Sequence, residues 1–230
     1  MKKSAEYSGV DNLEVMQCAV NYNRYLQQLV LPRLTRQGLN VDFGAGVGTF
    51  SRPFLQLDFP LCCVEADADL CRRLEENGLR AVQDLSQISA ETIANIYSLN
   101  VLEHIQNDED AIAQIYNALA VGGTLLIYVP AFQLLYSSMD KKVGHWRRYR
   151  LKELEEKVQS AGFVIEKSAY ADCLGFIASL LYKYLGSPKG DINEQSLIIY
   201  DRIVFPLSSM LDRVFGKWFG KNVYIMARKI

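Results

Sequence analysis

A short run with three glycines at alternate positions, residues 41–50, constrains this chain more than any other feature. It reads Val-Asp-Phe-Gly-Ala-Gly-Val-Gly-Thr-Phe, so an apolar stretch leads through Asp42 into Gly44, Gly46 and Gly48. Glycine is needed where the backbone takes a positive φ or where a ligand lies directly against the chain. A helix start follows, where free N–H groups can bind the polar part of a ligand. The run therefore predicts a nucleotide-type binding loop at the end of a first β-strand.

Two other kinds of nucleotide-binding loop fit this run less well. The dinucleotide fingerprint G-x-G-x-x-G has its third glycine at the position that Thr49 occupies here. A phosphate-binding loop would require Gly-Lys-Ser/Thr, and the run lacks it. An NAD-type oxidoreductase is thus disfavoured.

Polar residues also follow three later apolar runs. Glu65 closes the run 61–64, at the distance past a glycine loop where a strand-end carboxylate can accept hydrogen bonds from two ribose hydroxyls. A short strand near 80–82 leads to Asp84, and a fourth strand runs into Asn-Val-Leu-Glu-His at 100–104. The order and spacing predict a ligand site along the carboxyl ends of parallel strands.

These motifs together resemble class I S-adenosylmethionine-dependent methyltransferases over roughly residues 39–170. The Asn-Val-Leu-Glu-His string is typical of their small-molecule branch, methyltransferase types 11 and 12. The resemblance implies S-adenosylmethionine as cofactor, and Asp84 as the acceptor of a hydrogen bond from its adenine amino group. Because a sulfonium donor is already activated, no metal site is expected. The cofactor-binding residues that follow are Asp42, Gly44, Ala45, Gly46, Gly48, Glu65, Ala66, Asp84, Leu85 and Asn100.

The alternation of apolar patterns predicts an α/β fold. Strands are expected near 40–43, 61–65, 80–82, 94–99, 123–129 and 163–170, and helices near 13–31, 48–57, 67–77, 107–120 and 151–161. Such alternation gives a Rossmann-like, mostly parallel sheet with helices on both faces, and the resemblance implies seven strands with an antiparallel last one. The expected single domain has a helical segment (1–38), a cofactor-binding core (39–171), a helical insertion (172–221) and the last strand (222–230).

The insertion permits two interpretations. Its apolar segment 174–185 is too short to span a bilayer, and it is followed by a loop at 186–190 and a helical stretch at 196–215. We expect a lid over an acceptor pocket. The alternative is a peripheral membrane contact through 174–221, or enclosure of a lipid-like acceptor, with basic residues near the headgroups. Those basic residues are Arg202, Arg213, Lys217 and Lys221.

A second polar cluster lies at residues 140–150, where five cationic residues, one histidine and two aromatic residues share eleven positions. An exposed basic loop is the simpler interpretation. The segment follows a strand end, however, and arginine suits carboxylate or phosphate groups. We expect it to bind an anionic acceptor through Trp146, Arg147, Arg148 and Tyr149. His145, or His104 from the earlier string, is the candidate base that takes the acceptor's proton.

The composition agrees with a globular enzyme of this class. Half of the 230 residues are apolar and the net charge is −1, which argues against a nucleic-acid surface. Five cysteines without C-x-x-C spacing, and an N-terminus without a secretory signal, predict a cytoplasmic protein. The expected reaction is methyl transfer to a small acceptor, anionic or linked to a lipid or glycan. The alternative is a non-catalytic subunit that binds S-adenosylmethionine.

Overall fold

A computed structural model describes residues 15–89, 92–185 and 193–230, except for the side chain of Leu185. Its core is a seven-stranded sheet in the order β3-β2-β1-β4-β5-β7-β6. The strands are β1 (Leu39–Phe43), β2 (Leu61–Val64), β3 (Ala81–Val82), β4 (Ile93–Leu99), β5 (Leu119–Pro130), β6 (Phe163–Ala171) and β7 (Asn222–Lys229). Neighbouring strands from β3 to β5 pair in parallel, and β7 pairs antiparallel with β5 and β6. The predicted Rossmann-like fold with an antiparallel last strand is confirmed.

Helices cover the sheet between these strands. They are α1 (Val20–Val30), α2 (Ser51–Leu55), α3 (Ala68–Glu76), α4 (Asp108–Ala118), α5 (Ser138–Val143), α6 (Leu151–Ser160), α7 (Cys173–Leu185), α8 (Glu194–Ile199) and α9 (Phe205–Phe215). Short 3₁₀ turns occur at Leu31–Arg33, Leu85–Gln87, Leu102–His104 and Gln133–Leu135. No helix of the described residues is long and apolar enough to cross a membrane.

The strands are apolar on both faces because each face packs against a layer of helices. In β4, Ile96 belongs to the core on one side and its neighbour Tyr97 to the core on the other. In β5, Ile127 and Tyr128 divide in the same way. This period-two alternation buries both faces of the central strands, so their carboxyl ends are left as the place for polar groups.

The segment 140–150 is more ordered than a basic loop would be. It begins inside α5, whose first turn is capped reciprocally by Ser137 and Asp140. Further on, the Tyr149 N–H donates to the Pro130 carbonyl and the Phe132 N–H donates to the Tyr149 carbonyl, both at 2.9 Å. The end of this segment therefore lies alongside the end of β5, and the interpretation as an exposed loop is wrong.

The insertion between β6 and β7 is helical, as the sequence predicts, but its long stretch is not uniform. A π-helical turn, Tyr200–Val204, joins α8 to α9. Its Asp201 is buried, and its carboxylate accepts hydrogen bonds from the backbone N–H groups of Asn21 and Tyr22. These N–H groups belong to the first turn of α1, so Asp201 caps that helix from across the molecule. The predicted loop 186–190, and the part of the predicted first helix before residue 15, lie outside the described residues.

Candidate cofactor and acceptor site

The glycine loop follows β1 in a conformation that requires glycine. Gly44, Gly46 and Gly48 have φ angles of 82°, 56° and 79°, which side chains rarely adopt. A Cβ atom on Gly44 would lie 2.3 Å from the Val101 side chain. One on Gly48 would lie 2.8 Å from Leu74 of α3. The loop is thus packed closely at its back, and its front lines a cavity.

The Glu65 carboxylate at the end of β2 is held against this loop. It accepts a hydrogen bond from the Gly46 N–H at 2.7 Å and one from the Asp67 N–H at 3.0 Å. A carboxylate has about four acceptor sites, and these two bonds occupy one on each oxygen. Glu65 also lines the cavity. The acid is therefore oriented rigidly while it keeps the capacity to accept hydrogen bonds from two hydroxyl groups.

Asp42 lies deeper, below the loop. Its side chain is 2% exposed and accepts a hydrogen bond from the Ser51 hydroxyl at 2.5 Å. Burial raises the pKa of Asp42 to about 7, although the hydrogen bonds from Ser51 and Tyr97 oppose this shift. In the structure the partners of this carboxylate are thus side-chain hydroxyls.

The remaining predicted cofactor residues lie around the same cavity. Asp84 is exposed and caps the 3₁₀ turn Leu85–Gln87 by accepting from the Ser86 N–H at 2.8 Å. Asn100 takes a positive φ of 56°, its N–H donates to the Tyr128 carbonyl, and its amide lies 3.4 Å from the Tyr22 hydroxyl. The cavity is lined by every predicted cofactor residue except Gly48, namely by Asp42, Gly44, Ala45, Gly46, Glu65, Ala66, Asp84, Leu85 and Asn100.

The cavity has a volume of about 1030 Å³, at the upper end of the range of about 300–1,000 Å³ for ligand sites. One end is the glycine loop, and the other is formed by α5 and the insertion. On α7, Gly175, Ala178, Ser179 and Tyr182 line it, at the spacing of one helix face. On and after α8, Ser196, Leu197 and Tyr200 line it. The space therefore exceeds a cofactor pocket and continues under the insertion.

His145 lies at this second end and is oriented by a buried carboxylate. Its Nδ1 atom is 2.7 Å from Oδ1 of Asp140. Arg148 donates two hydrogen bonds to the same carboxylate, from Nε at 2.8 Å and from an Nη atom at 3.0 Å. These bonds, together with that from His145, hold the pKa of Asp140 well below its usual range although burial opposes them. Asp140 is thus an anion that directs the other ring nitrogen, Nε2, away from itself.

Glu103 and His104 lie beside that ring. The rings of His104 and His145 meet edge to face with centroids 4.6 Å apart. Oε1 of Glu103 lies 3.8 Å from Nε2 of His145, and the Glu103 side chain is completely buried. Burial raises the pKa of Glu103 to about 8 and lowers the pKa of His104 to about 4. All three residues line the cavity.

Three of the four predicted acceptor-binding residues lie away from the cavity. Tyr149 is fully buried, and its hydroxyl donates to Asp108 at 2.8 Å. Arg147 pairs with the same Asp108, while Trp146 is 56% exposed. Only Arg148 of the four lines the cavity, and its guanidinium is already bound to Asp140. Internal ion pairs thus hold much of the basic segment. Asp108 of α4, which is distant in sequence, is the partner of both Arg147 and Tyr149.

Lys221, just before β7, is a cation that does line the cavity. Its backbone is held at the sheet end, where its N–H donates to the Asp172 carbonyl and its carbonyl accepts from the Ala131 N–H. Its ammonium group makes no hydrogen bond or ion pair with any other described residue. Burial lowers the pKa of Lys221. Among the residues that the structure describes, Lys221 therefore gives the second end of the cavity a cation with unused donors.

Comparison with known families agrees with the fold and the loop. A family model described as a methyltransferase domain matches residues 18–168. The chain therefore belongs to this methyltransferase family. Like the family, it is a class I enzyme that uses S-adenosylmethionine. None of the curated protein sequences compared with the chain matches it significantly.

Solved structures share the fold at low sequence identity. A possible histamine N-methyltransferase from Thermotoga maritima is 16% identical, with a TM-score of 0.62, over 96% of this chain and 95% of that one. Geranyl diphosphate C-methyltransferase from Streptomyces coelicolor, solved with S-adenosylhomocysteine, is 15% identical with a TM-score of 0.61, over 90% and 78%. Phosphoethanolamine N-methyltransferase 2 from Haemonchus contortus, solved with S-adenosylmethionine, is 19% identical with a TM-score of 0.57, over 89% and 52%.

The residues at the glycine-loop end fit this cofactor. The backbone of Gly44 and Gly46 lines the cavity, and beside it the two oriented oxygens of Glu65 keep the capacity to accept hydrogen bonds from hydroxyl groups. The sequence did not single out Glu103 or Asp140, and it predicted Lys221 near lipid headgroups and not in the cavity. A usable signal existed for the first two, since Glu103 adjoins His104 and Asp140 precedes His145 by just over one helical turn.

Proposed function

We propose that this methyltransferase acts on a hydroxyl group of an anionic acceptor that carries a lipid-like portion. The observation that supports the anionic class is Lys221, which lines the cavity and whose ammonium group makes no hydrogen bond or ion pair with another residue that the structure describes. A half-buried cation costs solvation free energy unless it is paired. A phosphate or carboxylate of the acceptor would provide that pair.

At the glycine loop, Glu65 would bind the ribose hydroxyls and the loop would enclose the nucleoside. S-adenosylmethionine supplies an activated methyl group: as the acceptor oxygen bonds to the methyl carbon, the carbon–sulfur bond breaks and its electron pair stays on sulfur. The protein's main contribution is to hold the acceptor in line with that bond and to exclude water. The acceptor therefore enters from the second end of the cavity, under α7 and α8.

His145 is the candidate group that activates the acceptor hydroxyl. Asp140 holds its Nδ1 and leaves Nε2 toward the cavity, in the arrangement by which a carboxylate orients a catalytic imidazole. As a free imidazole it would take the hydroxyl proton. His104 has a lowered pKa and is neutral near pH 7, so it would serve as a hydrogen-bonding neighbour.

The lipid-like portion is supported by the outer surface of the insertion. An apolar stripe, which we call the outer stripe, is formed by Ile199, Ile203, Leu207, Met210, Val214 and Trp218. Each residue is exposed, and they follow one another at spacings of three or four from the end of α8, through the π-helical turn and α9, to Trp218 just after α9. The exposed charges between 196 and 220 are Arg202, Arg213 and Lys217. Of the two acids in this range, Asp201 is buried, and the half-buried Asp212 accepts hydrogen bonds from the backbone N–H groups of residues 172 and 173. Apolar residues flanked by cations suit an anionic bilayer surface.

The same helices connect this surface with the cavity. On α7, Ile177, Leu181 and Tyr184 are exposed, whereas Ala178 and Tyr182 line the cavity. On α8, Ile199 is exposed and Leu197 lines the cavity. A single layer of helix thus separates the outer apolar surface from the second end of the cavity, which we call the acceptor end. Docking on a membrane would place the cavity next to the bilayer from which the acceptor comes.

The test is transfer of a tritiated methyl group from S-adenosylmethionine into a membrane extract, separated into lipid and aqueous fractions. We expect the label in the lipid fraction. Lys221→Met should lower this transfer at least about tenfold, as one charge-assisted contact would, while calorimetric binding of S-adenosylhomocysteine is kept. Lys152→Met, a fully solvated lysine on α6, is the matched control. Label confined to water-soluble products, or full activity of Lys221→Met, would contradict the proposal.

A further inference from the structure

The geometry points to a binding site for a divalent transition-metal ion formed by Glu103, His104 and His145, at the acceptor end of the cavity. One ligand atom from each residue lies within 4.8 Å of the other two. The three residues come from one short turn after β4 and from the segment after α5, so only the fold brings them together. The inference rests on the proposed function for the position of the acceptor, but the binding of the ion itself does not depend on it.

The first argument is the state of Glu103. Its side chain has no solvent exposure, and within the described residues neither carboxylate oxygen accepts a hydrogen bond from another residue. A buried carboxylate without a partner is costly, and such groups in native proteins are nearly always paired or coordinate a metal. The Arg148 guanidinium does not pair with it because it is bound to Asp140. Nε2 of His145 is 3.8 Å from Oε1 of Glu103, beyond hydrogen-bonding distance.

The second argument is the way both imidazoles are held from behind. Nδ1 of His145 bonds to the Asp140 carboxylate, which leaves Nε2 for a ligand bond. His104 makes its own hydrogen bond to the backbone of Val143. Metal-binding histidines almost always donate their second N–H to a carboxylate or to a backbone carbonyl, because this sets the tautomer and the ring orientation. Here the Asp140 carboxylate supports His145, and the Val143 backbone supports His104.

The ligand set selects the kind of ion. Two imidazole nitrogens and one carboxylate suit zinc and neighbouring first-row ions better than magnesium or calcium, which prefer oxygen ligands. Three protein ligands are also typical of catalytic zinc sites, in which the fourth position is left for water or substrate. Because all three residues line the cavity, that position would face the acceptor.

Such an ion would change how the acceptor is activated. An oxygen bound to a divalent ion loses its proton at a much lower pH. The acceptor hydroxyl would then give its proton to solvent before its oxygen bonds to the methyl carbon. His145 would act as a ligand through Nε2 and would not take that proton itself. With the ion bound, His145 would thus serve as its ligand, in place of the base role proposed for the free imidazole.

The experiment is titration of the tag-free full chain with Co²⁺, followed by visible absorption and by competition with Zn²⁺. The chain has two histidines, and both belong to the proposed site, so nitrogen coordination can be assigned without ambiguity. We expect one Co²⁺ per chain, displaced by Zn²⁺, without thiolate charge-transfer bands. Glu103→Gln and His145→Ala should each weaken binding at least about tenfold, and Asp140→Asn about 10- to 100-fold through the orientation of His145.

Two controls and two separate readouts keep the outcomes distinct. Glu109→Gln changes an exposed carboxylate on α4 and Cys18→Ser removes a partly exposed thiol; both should bind Co²⁺ like the unmodified chain. No binding by the unmodified chain, or equal binding by Glu103→Gln and His104→Ala, would overturn the inference. Circular dichroism and binding of S-adenosylhomocysteine verify folding in each variant.

The two proposals fail in different ways. Cobalt binding without methyl transfer would overturn only the proposed function. Methyl transfer by chelator-treated protein that binds no Co²⁺ would overturn only the metal site.

Discussion

Nδ1 of His145 and Oδ1 of Asp140 lie 2.7 Å apart inside the molecule, and Arg148 binds the same carboxylate through two nitrogens. Asp140 and Arg148 are almost completely buried, at 0% and 2% side-chain exposure. The Ser137 N–H and hydroxyl also donate to Asp140. One aspartate thus caps α5, neutralises an arginine and orients the candidate catalytic histidine.

Asp140→Asn should destabilise the fold strongly. It would leave the Arg148 guanidinium buried without an anion, which costs about 3–5 kcal/mol in typical buried pairs. Urea denaturation would measure the loss. The double variant Asp140→Asn/Arg148→Met should recover a large part of it, because the uncompensated charge is removed. Equal stability of the two variants would show that the ion pair is not the cause.

Glu65→Gln should weaken binding of S-adenosylhomocysteine by about 10- to 100-fold, since hydrogen bonds to a charged group contribute about 1.5–3 kcal/mol. The substitution keeps the size of the side chain and one acceptor oxygen for the Gly46 N–H. Calorimetric titration measures the change, with Glu75→Gln on the exposed side of α3 as control. Unchanged affinity would remove Glu65 from the cofactor site.

Asp42 predicts a specific dependence of stability on pH. Its pKa is about 7 in the folded protein, because of burial, and about 3.9 in an unfolded chain. Between these values the folded state holds the proton and the unfolded state does not, so the free energy of unfolding falls as pH rises, by up to about 1.4 kcal/mol per pH unit. Above pH 7 this contribution is constant.

Asp42→Asn should therefore gain stability relative to the unmodified chain as pH rises from 4 to 7, while it binds S-adenosylhomocysteine more weakly. Thermal or urea unfolding across this pH range provides the measurement. Asp58→Asn, at an exposed position after α2, should follow the curve of the unmodified chain. A parallel curve for Asp42→Asn would show that Asp42 is ionised throughout.

The outer stripe predicts binding to anionic vesicles. The full chain should sediment with vesicles that contain phosphatidylglycerol and much less with pure phosphatidylcholine, and added salt should weaken this binding. Ile203→Glu/Met210→Glu should abolish it, because two charges would enter the interface. Val121→Glu, at a 77% exposed site on β5, is the matched control. Equal binding of all three proteins would contradict a membrane contact through the stripe.

The features that could be predicted from sequence are those encoded by neighbouring residues. The glycine loop, Glu65 and Asp84 lie at the ends of separate strands, and the rule for parallel sheets brings such ends together. The strands themselves follow from apolar runs that are buried on both faces. This local logic accounts for the α/β fold and for a cavity lined by nearly all of the predicted cofactor residues.

The acceptor end depends on contacts between distant segments, and composition misleads there. Arg147 and Tyr149 looked available for a ligand, but both bind Asp108, about forty residues earlier. Lys221 is one of several cations in the insertion. It lines the cavity because it lies directly before β7, at the end of the sheet. The periodicity of apolar residues does not predict such pairings between distant side chains, because they form only when the sheet and its helices pack together.

Asp201 has a further consequence for the wall of the cavity. It belongs to the insertion above the acceptor, and it caps α1, whose Tyr22 forms part of the wall near Asn100. Any movement of the insertion away from α1 would therefore remove the cap from the first turn of that wall.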